Sequence, residues 1–391
     1  MTRMIAPARL SGDRHPVRRR SAMAPPTPAP AVARGAGSTI ARERVRAVLA
    51  DVLAEARAEA AGTGDEDYRL VWDELARTAL GGKGFRGTLV VRTHDALGGR
   101  EPDAADRVGA ALELVHTAFL VHDDLIDRDF RRRGAPNLMG TVLAAATARG
   151  LPPAAATRLA EAAAVLAGDL ALGLAHRLVA LAAPAAAHSA LQDLLSRTLA
   201  VSVRGELADV RDGLPGSTPT VDGALETAAA KTAMYSFRAP LAAGALLVGA
   251  PAETRARLDE AGRRLGVAFQ LVDDLCGVFA PDEVTGKSRL SDLREGTATV
   301  LMLLARQTPR WQRIDTYLRR ELTDEAAAGV RGELAASGAP QQVAGLVRAE
   351  LDAVGALVPD LPPAAARLLG ELTATVSAAV EEAERHVRAA G

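Results

Sequence analysis

The run Val115–Gly140, VHTAFLVHDDLIDRDFRRRGAPNLMG, sets three carboxylates beside three guanidinium groups. Asp123, Asp124 and Asp127 close an apolar stretch, and Arg131, Arg132 and Arg133 follow at once. A buried carboxylate is costly unless a cation or a metal offsets it. On a helix, Asp123 and Asp127 stand at i and i+4 and share a face; His116 returns to that face about two turns earlier. Hard oxygen ligands followed by planar cations suit a polyanion held through divalent metal, and diphosphate is the first candidate. A second run, FQLVDDLCG, repeats the device. Asp273 and Asp274 end another apolar helix, Gln270 precedes Asp273 by three residues, and Lys287 and Arg289 follow in a loop. If the two helices face each other across a bundle, their carboxylates hold several Mg²⁺ ions, which bind through a few carboxylates and substrate phosphate oxygens.

The elements that must position these groups read as helices throughout. Ser38 or Thr39 caps a first helix in which Val45, Val48, Leu49, Val52 and Leu53 recur at helical spacing. A helix over Tyr68–Leu80 runs into GGKGFRG, Gly81–Gly87, where adjacent glycines break it and Lys83 and Arg86 stand at the next helix start, a setting for phosphate. From Ala104 to Asp127 the chain is apolar around most of a helical circumference, which predicts burial. Residues 151–200 read as two Ala- and Leu-rich core helices interrupted near Pro184. RGELADVRDG then places Glu206 and Asp209 on one helix face, and KTAMYSFRAP sets Lys231, Tyr235 and Arg238 at helical spacing. Amphipathic helices fill the remainder, and no period-2 pattern argues for a sheet.

Composition agrees. The chain has 391 residues, 48% hydrophobic but only 3% aromatic, so the core is built from Ala, Leu and Val, which favour helix. A net charge of −1 argues against nucleic acid as a partner. The single cysteine, Cys276, excludes an internal disulfide framework. No secretory signal and no transmembrane segment is expected, which places the protein in the cytoplasm. Residues 1–37, rich in Pro, Ala and Arg, read as a disordered tail that either is merely solvated or docks to an assembly or partner. Residues 38–391 form one all-α domain.

Together, HDDLIDRDFRRRG, FQLVDDLCG, GGKGFRG and KTAMYSF resemble the trans-isoprenyl diphosphate synthases, the polyprenyl synthetase family, from about residue 40 to at least residue 310. The resemblance implies an all-α helical bundle around a deep central cavity, a homodimer, and head-to-tail condensation of isopentenyl diphosphate with an allylic diphosphate. It implies that Asp123 and Asp127 bridge two Mg²⁺ ions, that Asp273 binds a third, and that Asp124 and Asp274 support that shell. Lys83, Arg86, His116 and Arg133 are implied to hold isopentenyl diphosphate. Arg132, Lys231 and Lys287 are implied to hold the allylic diphosphate, with Thr232 and Gln270 beside the reacting centre. This chain departs from the pattern at Gly84, Glu206, Gly277, Thr297 and Ala298, and the first, second and last two of these lose or invert positive charge. Phe119 and Ala118, one turn or so before Asp123, are expected to set product length, pointing to C20 or C15. Two rivals stand beside this reading. One is a class I terpene cyclase, disfavoured by having only two Trp, three Tyr and six Phe to face a wandering cation. The other is a non-catalytic or partner-dependent subunit of the same fold.

Overall fold

The computed structural model describes residues 36–132, 134–182, 186–214, 216–281, 298–318 and 323–391. Ten helices lead from the first of these to the second acidic run: α1 Ala36–Gly62, α2 Glu66–Leu80, α3 Phe85–Ala96, α4 Pro102–Ile126, α5 Leu138–Ala148, α6 Pro153–Ala182, α7 His188–Asp212, α8 Val221–Ala228, α9 Ala239–Leu247 and α10 Ala252–Phe279. Between α8 and α9 the chain stays helical but widens into a π-helical segment, Ala229–Arg238. Five more follow among the described residues: α11 Val300–Arg306, α12 Trp311–Leu318, α13 Asp324–Ala335, α14 Ala339–Leu357 and α15 Pro363–Ala390. The only strands among the described residues are β1 Arg131–Arg132 and β2 Ala135–Pro136, a hairpin of two residues a side. The fold is all-α, as expected.

Local chemistry fixes the helix starts. Asp65, Asn137, Thr220, Thr299 and Thr323 each accept a backbone N–H from the first turn of α2, α5, α8, α11 and α13. The first helix begins at Ala36, two residues before the expected cap at Ser38 or Thr39, and Ser38 is buried inside it. Ala41, Val45, Leu49 and Leu53 then face the core at the expected spacing.

Two cores meet around the site. In the N-terminal one, α4 lies along α6, and the facing rows are small: Ala110, Ala111 and Ala118 on α4 with Ala160, Ala164, Ala167, Ala171 and Ala175 on α6 are all fully buried. Alanines bring helix axes close and lose no side-chain entropy on packing. In the C-terminal one, α10 packs against the π-helical segment, α14 and α15. By length and composition α6 is apolar enough to cross a bilayer, contrary to the expectation that no segment is; its alanine face is packed on α4 and α5.

Candidate active site

Helix α4 ends in a way that fans out its carboxylates. The Arg128 N–H bonds back to the carbonyl of Leu125 and the Asp129 N–H to that of Asp124, while Arg128 takes the left-handed conformation at φ 57°. That pattern closes a helix by satisfying its last carbonyls, and it costs about 1–2 kcal/mol in a residue that is not glycine. The β1–β2 hairpin then folds back, held where Asn137 donates to the Asp129 carbonyl. Its register returns Arg132 to the helix end, 2.7 Å from Asp124 Oδ1 and 3.7 Å from Asp123 Oδ2. Asp123, Asp124 and Asp127 are all buried. Burial pushes the Asp124 carboxyl up, against the pull of Arg132. Burial also works against the Arg132 charge, but Asp124 and Asp123 outweigh it and hold the guanidinium above its ordinary value.

The π-helical segment is squeezed from two sides. A Cβ on Gly205 of α7 would lie 2.4 Å from the Lys231 backbone nitrogen, and one on Gly266 of α10 would lie 2.2 Å from the Ala233 Cβ. Only glycines let both helices approach so closely. The result aims Lys231 at the first acidic run, with its Nζ 2.7 Å from Asp209, 2.9 Å from Glu206 and 3.9 Å from Asp123. Burial opposes the ammonium charge, yet Asp209, Asp123 and Glu206 together hold its pKa well above the ordinary value. Burial pushes the Glu206 carboxyl up to about 7; Lys231 opposes that rise, while Asp123 and Asp209 add to it. The next residue, Thr232, donates to Gln270 Oε1 at 2.6 Å, and Gln270 Nε2 donates to Asp274 at 2.8 Å. This relay ties the second acidic run on α10, including buried Asp273, to the segment that meets the first.

Cavities open on both sides of Asp123 and Asp124. One, of about 350 Å³, is lined by Phe119, Asp123, Ile126, Val203, Leu207 and Lys231 among others, cation and carboxylate at one end and apolar walls beyond. The other, of about 180 Å³, is lined by Lys83, Arg86, His116, Asp124 and Arg132. The Tyr235 ring lines the first and packs on residues that line the second. It stacks on His116 at 5.8 Å, meets the Phe119 ring nearly at right angles at 5.1 Å and lies 4.5 Å beneath the Arg86 guanidinium. Arg86 also donates to Ser236 Oγ at 2.7 Å. Beneath this cavity, Glu113 of α4 accepts the Gly87 N–H at 2.8 Å and so caps α3, whose own N-cap, Gly84, has no side chain for the task. Burial pushes the Glu113 carboxyl up, against Arg86 and the backbone amides of Gly87 and Arg86.

The structure thus brings together Asp123, Asp124, Asp127, Lys231, Thr232, Gln270 and Asp274, with Lys83, Arg86 and His116 on the far side of Asp124. Arg132 lines the cavity of Lys83 and His116, not that of Lys231. Ala118 is sealed in the N-terminal core, so of the two expected chain-length residues only Phe119 reaches the apolar cavity. Arg133, Lys287 and Thr297 lie outside the described residues. Among the described residues no three His, Cys, Asp or Glu side chains converge as a ready metal cage; Arg132 and Lys231 stand between the carboxylates instead. The donor set itself fits Mg²⁺: buried carboxylate oxygens, hard and acceptor-only. Helical spacing names Tyr235 beside Lys231 but gives it no role, and Glu113 is not singled out by it. A single glutamate inside ALELVHTAFLV was the visible sign of the second, since an isolated charge in an apolar run needs a specific partner.

Residues 71–329 match the family profile described as polyprenyl synthetase. The chain belongs to the polyprenyl synthetase family. Among its relatives, a (2E,6E)-farnesyl diphosphate synthase of Mycobacterium bovis is 36% identical over 237 residues, covering 60% of this chain and 60% of that one. A geranylgeranyl diphosphate synthase of Methanosarcina mazei is 32% identical over 254 residues, 64% of this chain and 71% of the relative. The match thus spans about three fifths of the length of the mycobacterial relative. Among solved structures, geranylgeranyl pyrophosphate synthase from Corynebacterium glutamicum, complexed with isoprenyl diphosphate and magnesium, superposes with a TM-score of 0.78 at 26% identity, over 90% of this chain and 98% of the other. Members of this polyprenyl synthetase family that resemble the chain therefore include makers of both C15 and C20 diphosphates.

Proposed function

We propose that this polyprenyl synthetase condenses isopentenyl diphosphate with an allylic diphosphate to give a trans-polyprenyl diphosphate, C20 in preference to C15. The observation that supports this best is the pair of cation-lined cavities at Asp123 and Asp124, with the Tyr235 ring lining one and packed on His116 of the other. Two diphosphates need two seats, and the carbons that join must meet between them.

Asp123, Asp127 and Asp273 would hold three Mg²⁺ ions, with Asp124 and Asp274 behind them. When bound, Mg²⁺ neutralises the charge that gathers on a departing diphosphate. Lys231 charges the same phosphates, and Lys287 is assigned to them with it. The apolar walls at Phe119, Val203 and Leu207 take the hydrocarbon tail and keep water from the allylic cation. Lys83, Arg86, His116, Arg132 and Arg133 seat isopentenyl diphosphate, and Thr232 and Gln270 fix the wall beside the reacting carbons. A proton then leaves the new chain, with the released diphosphate as its acceptor. Exposed Leu166 and Leu181, on one side of α6, offer an apolar contact to a second copy in a cytoplasmic homodimer.

The test is incubation of purified protein with Mg²⁺, labelled isopentenyl diphosphate and each allylic starter from C5 to C15. Elongated diphosphates are expected. Cyclic hydrocarbons would point to a cyclase. Silence would point to the partner-dependent subunit, a reading favoured by Glu206 standing 2.9 Å from Lys231 and competing for it with substrate.

A further inference from the structure

We propose that Arg42, on α1, is a diphosphate-binding residue of the isopentenyl seat, supplying the positive charge that position 84 lacks. The turn between α2 and α3 carries the argument. Gly84 has φ 65°, in the left-handed region that side chains resist, and a Cβ placed on it would lie 3.1 Å from Arg42 Cγ and 3.7 Å from Arg42 Cδ. The stem of Arg42 is laid over the bare glycine, in the space a side chain at 84 would need. A second cavity, of about 400 Å³, opens on that side, lined by Arg42, Glu43 and Arg46. It shares Ala79, Gly82, Gly84 and Glu113 with the cavity of Lys83, Arg86 and His116, so the two adjoin at the turn between α2 and α3.

The charges already in the seat are partly committed. Arg86 is 5% exposed, bonded to Ser236 and stacked on Tyr235, with Glu113 offsetting its charge. Arg132 is paired with Asp124. Arg46, one turn along α1, donates to the Leu80 carbonyl, the last of α2, where a cation also meets the helix dipole. Arg42, one turn before it, is exposed and lines the adjoining cavity, its stem against Gly84, the residue after exposed Lys83. A triply charged ligand entering there meets Lys83 and Arg42 together, and a guanidinium binds phosphate oxygens through two parallel donors.

This rests on the reading that the cavity of Lys83 and His116 takes isopentenyl diphosphate. The test uses the full chain, wild type and Arg42→Gln, with Arg69→Gln, an exposed arginine on α2 away from both cavities, as the charge-matched control. Isopentenyl diphosphate alone does not react, so its Kd is measured by calorimetry apart from turnover, and steady-state assays then give KM for each substrate and kcat. Arg42→Gln is expected to raise the isopentenyl diphosphate Kd and KM about tenfold, the loss of one charge-assisted contact, with kcat and the allylic KM within about twofold. Arg42→Lys is expected to recover most of the loss. If wild type binds isopentenyl diphosphate and Arg42→Gln binds it equally well, or Arg69→Gln weakens it as much, the assignment of Arg42 is wrong while the seat stands. If wild type binds none, the seat itself is wrong and Arg42 falls with it.

Discussion

Asp123 is where the charges of the site meet: Arg132 reaches it at 3.7 Å from the hairpin and Lys231 at 3.9 Å from the π-helical segment. Replacing it with Asn keeps the shape and removes the charge that both metal and cations require. Asp123→Asn is expected to lower kcat by about three orders of magnitude, near 4 kcal/mol of transition-state stabilisation, with an unchanged circular dichroism spectrum. A variant of near-normal turnover would remove Asp123 from the metal site. Glu206→Gln should act the other way. It takes one of three carboxylates from Lys231 and leaves the ammonium more available, so the allylic KM should fall about three- to tenfold. Phe119 packs nearly perpendicular to the Tyr235 ring and faces the apolar cavity, so Phe119→Ala should lengthen the products resolved by chromatography; an unchanged distribution would return it to ordinary packing. At this scale the acidic and basic residues were legible, because buried charge inside an apolar run is conspicuous. Tyr235 was not: an aromatic one helical turn after Lys231 looks like core until the fold sets His116, Arg86 and Phe119 around it.

Two contacts between elements decide whether those residues are presented. The first is the approach of α7 to the π-helical segment. Gly205→Ala would drive a methyl to within 2.4 Å of the Lys231 backbone, and neither backbone can yield without moving the ammonium. A loss of about 1–3 kcal/mol in denaturant titration is expected, together with a raised allylic KM; an unaltered KM would mean that the segment tolerates displacement. The second is the cap that α4 lends to α3 through Glu113. Its folded-state pKa is raised by burial above the ordinary 4.5, so the unfolded chain ionises first, and stability falls as pH rises beyond about 4.5. Glu113→Gln keeps an oxygen for the Gly87 N–H but carries no charge. It is expected to flatten that part of the stability profile, whereas Glu113→Ala, which orphans the amide, should cost about 1–3 kcal/mol at every pH. Profiles of equal slope for wild type and Glu113→Gln would refute this. Neither contact is written in the local pattern. A glycine in RGELADV and a glutamate in ALELVH read as a helix weakener and a stray charge, because their partners lie 26 residues away in each case.

Across the whole molecule, helical class, helix order and the conjunction of the two acidic runs could be read from apolar spacing and from the motifs, because each is a local or periodic property. The widening at Ala229–Arg238 and the placing of Arg132 in the cavity of Lys83 and not of Lys231 could not, since they arise from how close α7 and α10 come and how a two-residue hairpin folds back. The N-terminal boundary is an intermediate case. The expected domain begins at residue 38, and the inward face of α1 is Ala41, Val45, Leu49, Leu53, Ala56 and Ala60, all buried. Val45 packs into the space a Cβ would need on Gly87 and Gly109, where the backbones of α3 and α4 also touch. Burying a Val or Leu side chain is worth about 1.5–3 kcal/mol, so Val45, Leu49 and Leu53 together rival the 5–15 kcal/mol of net stability typical of a folded domain. Removing residues 1–35 removes none of these contacts. That truncation is expected to melt within about 2 °C of the full chain and to retain its turnover. Removing residues 1–62 takes away the whole inward face of α1 along with Arg42 and Arg46, and should abolish the cooperative thermal transition followed by circular dichroism. A cooperative melt in the shorter form would show that α1 is an accessory to the bundle and not part of its core; a large drop in Tm on losing only residues 1–35 would move the domain boundary upstream.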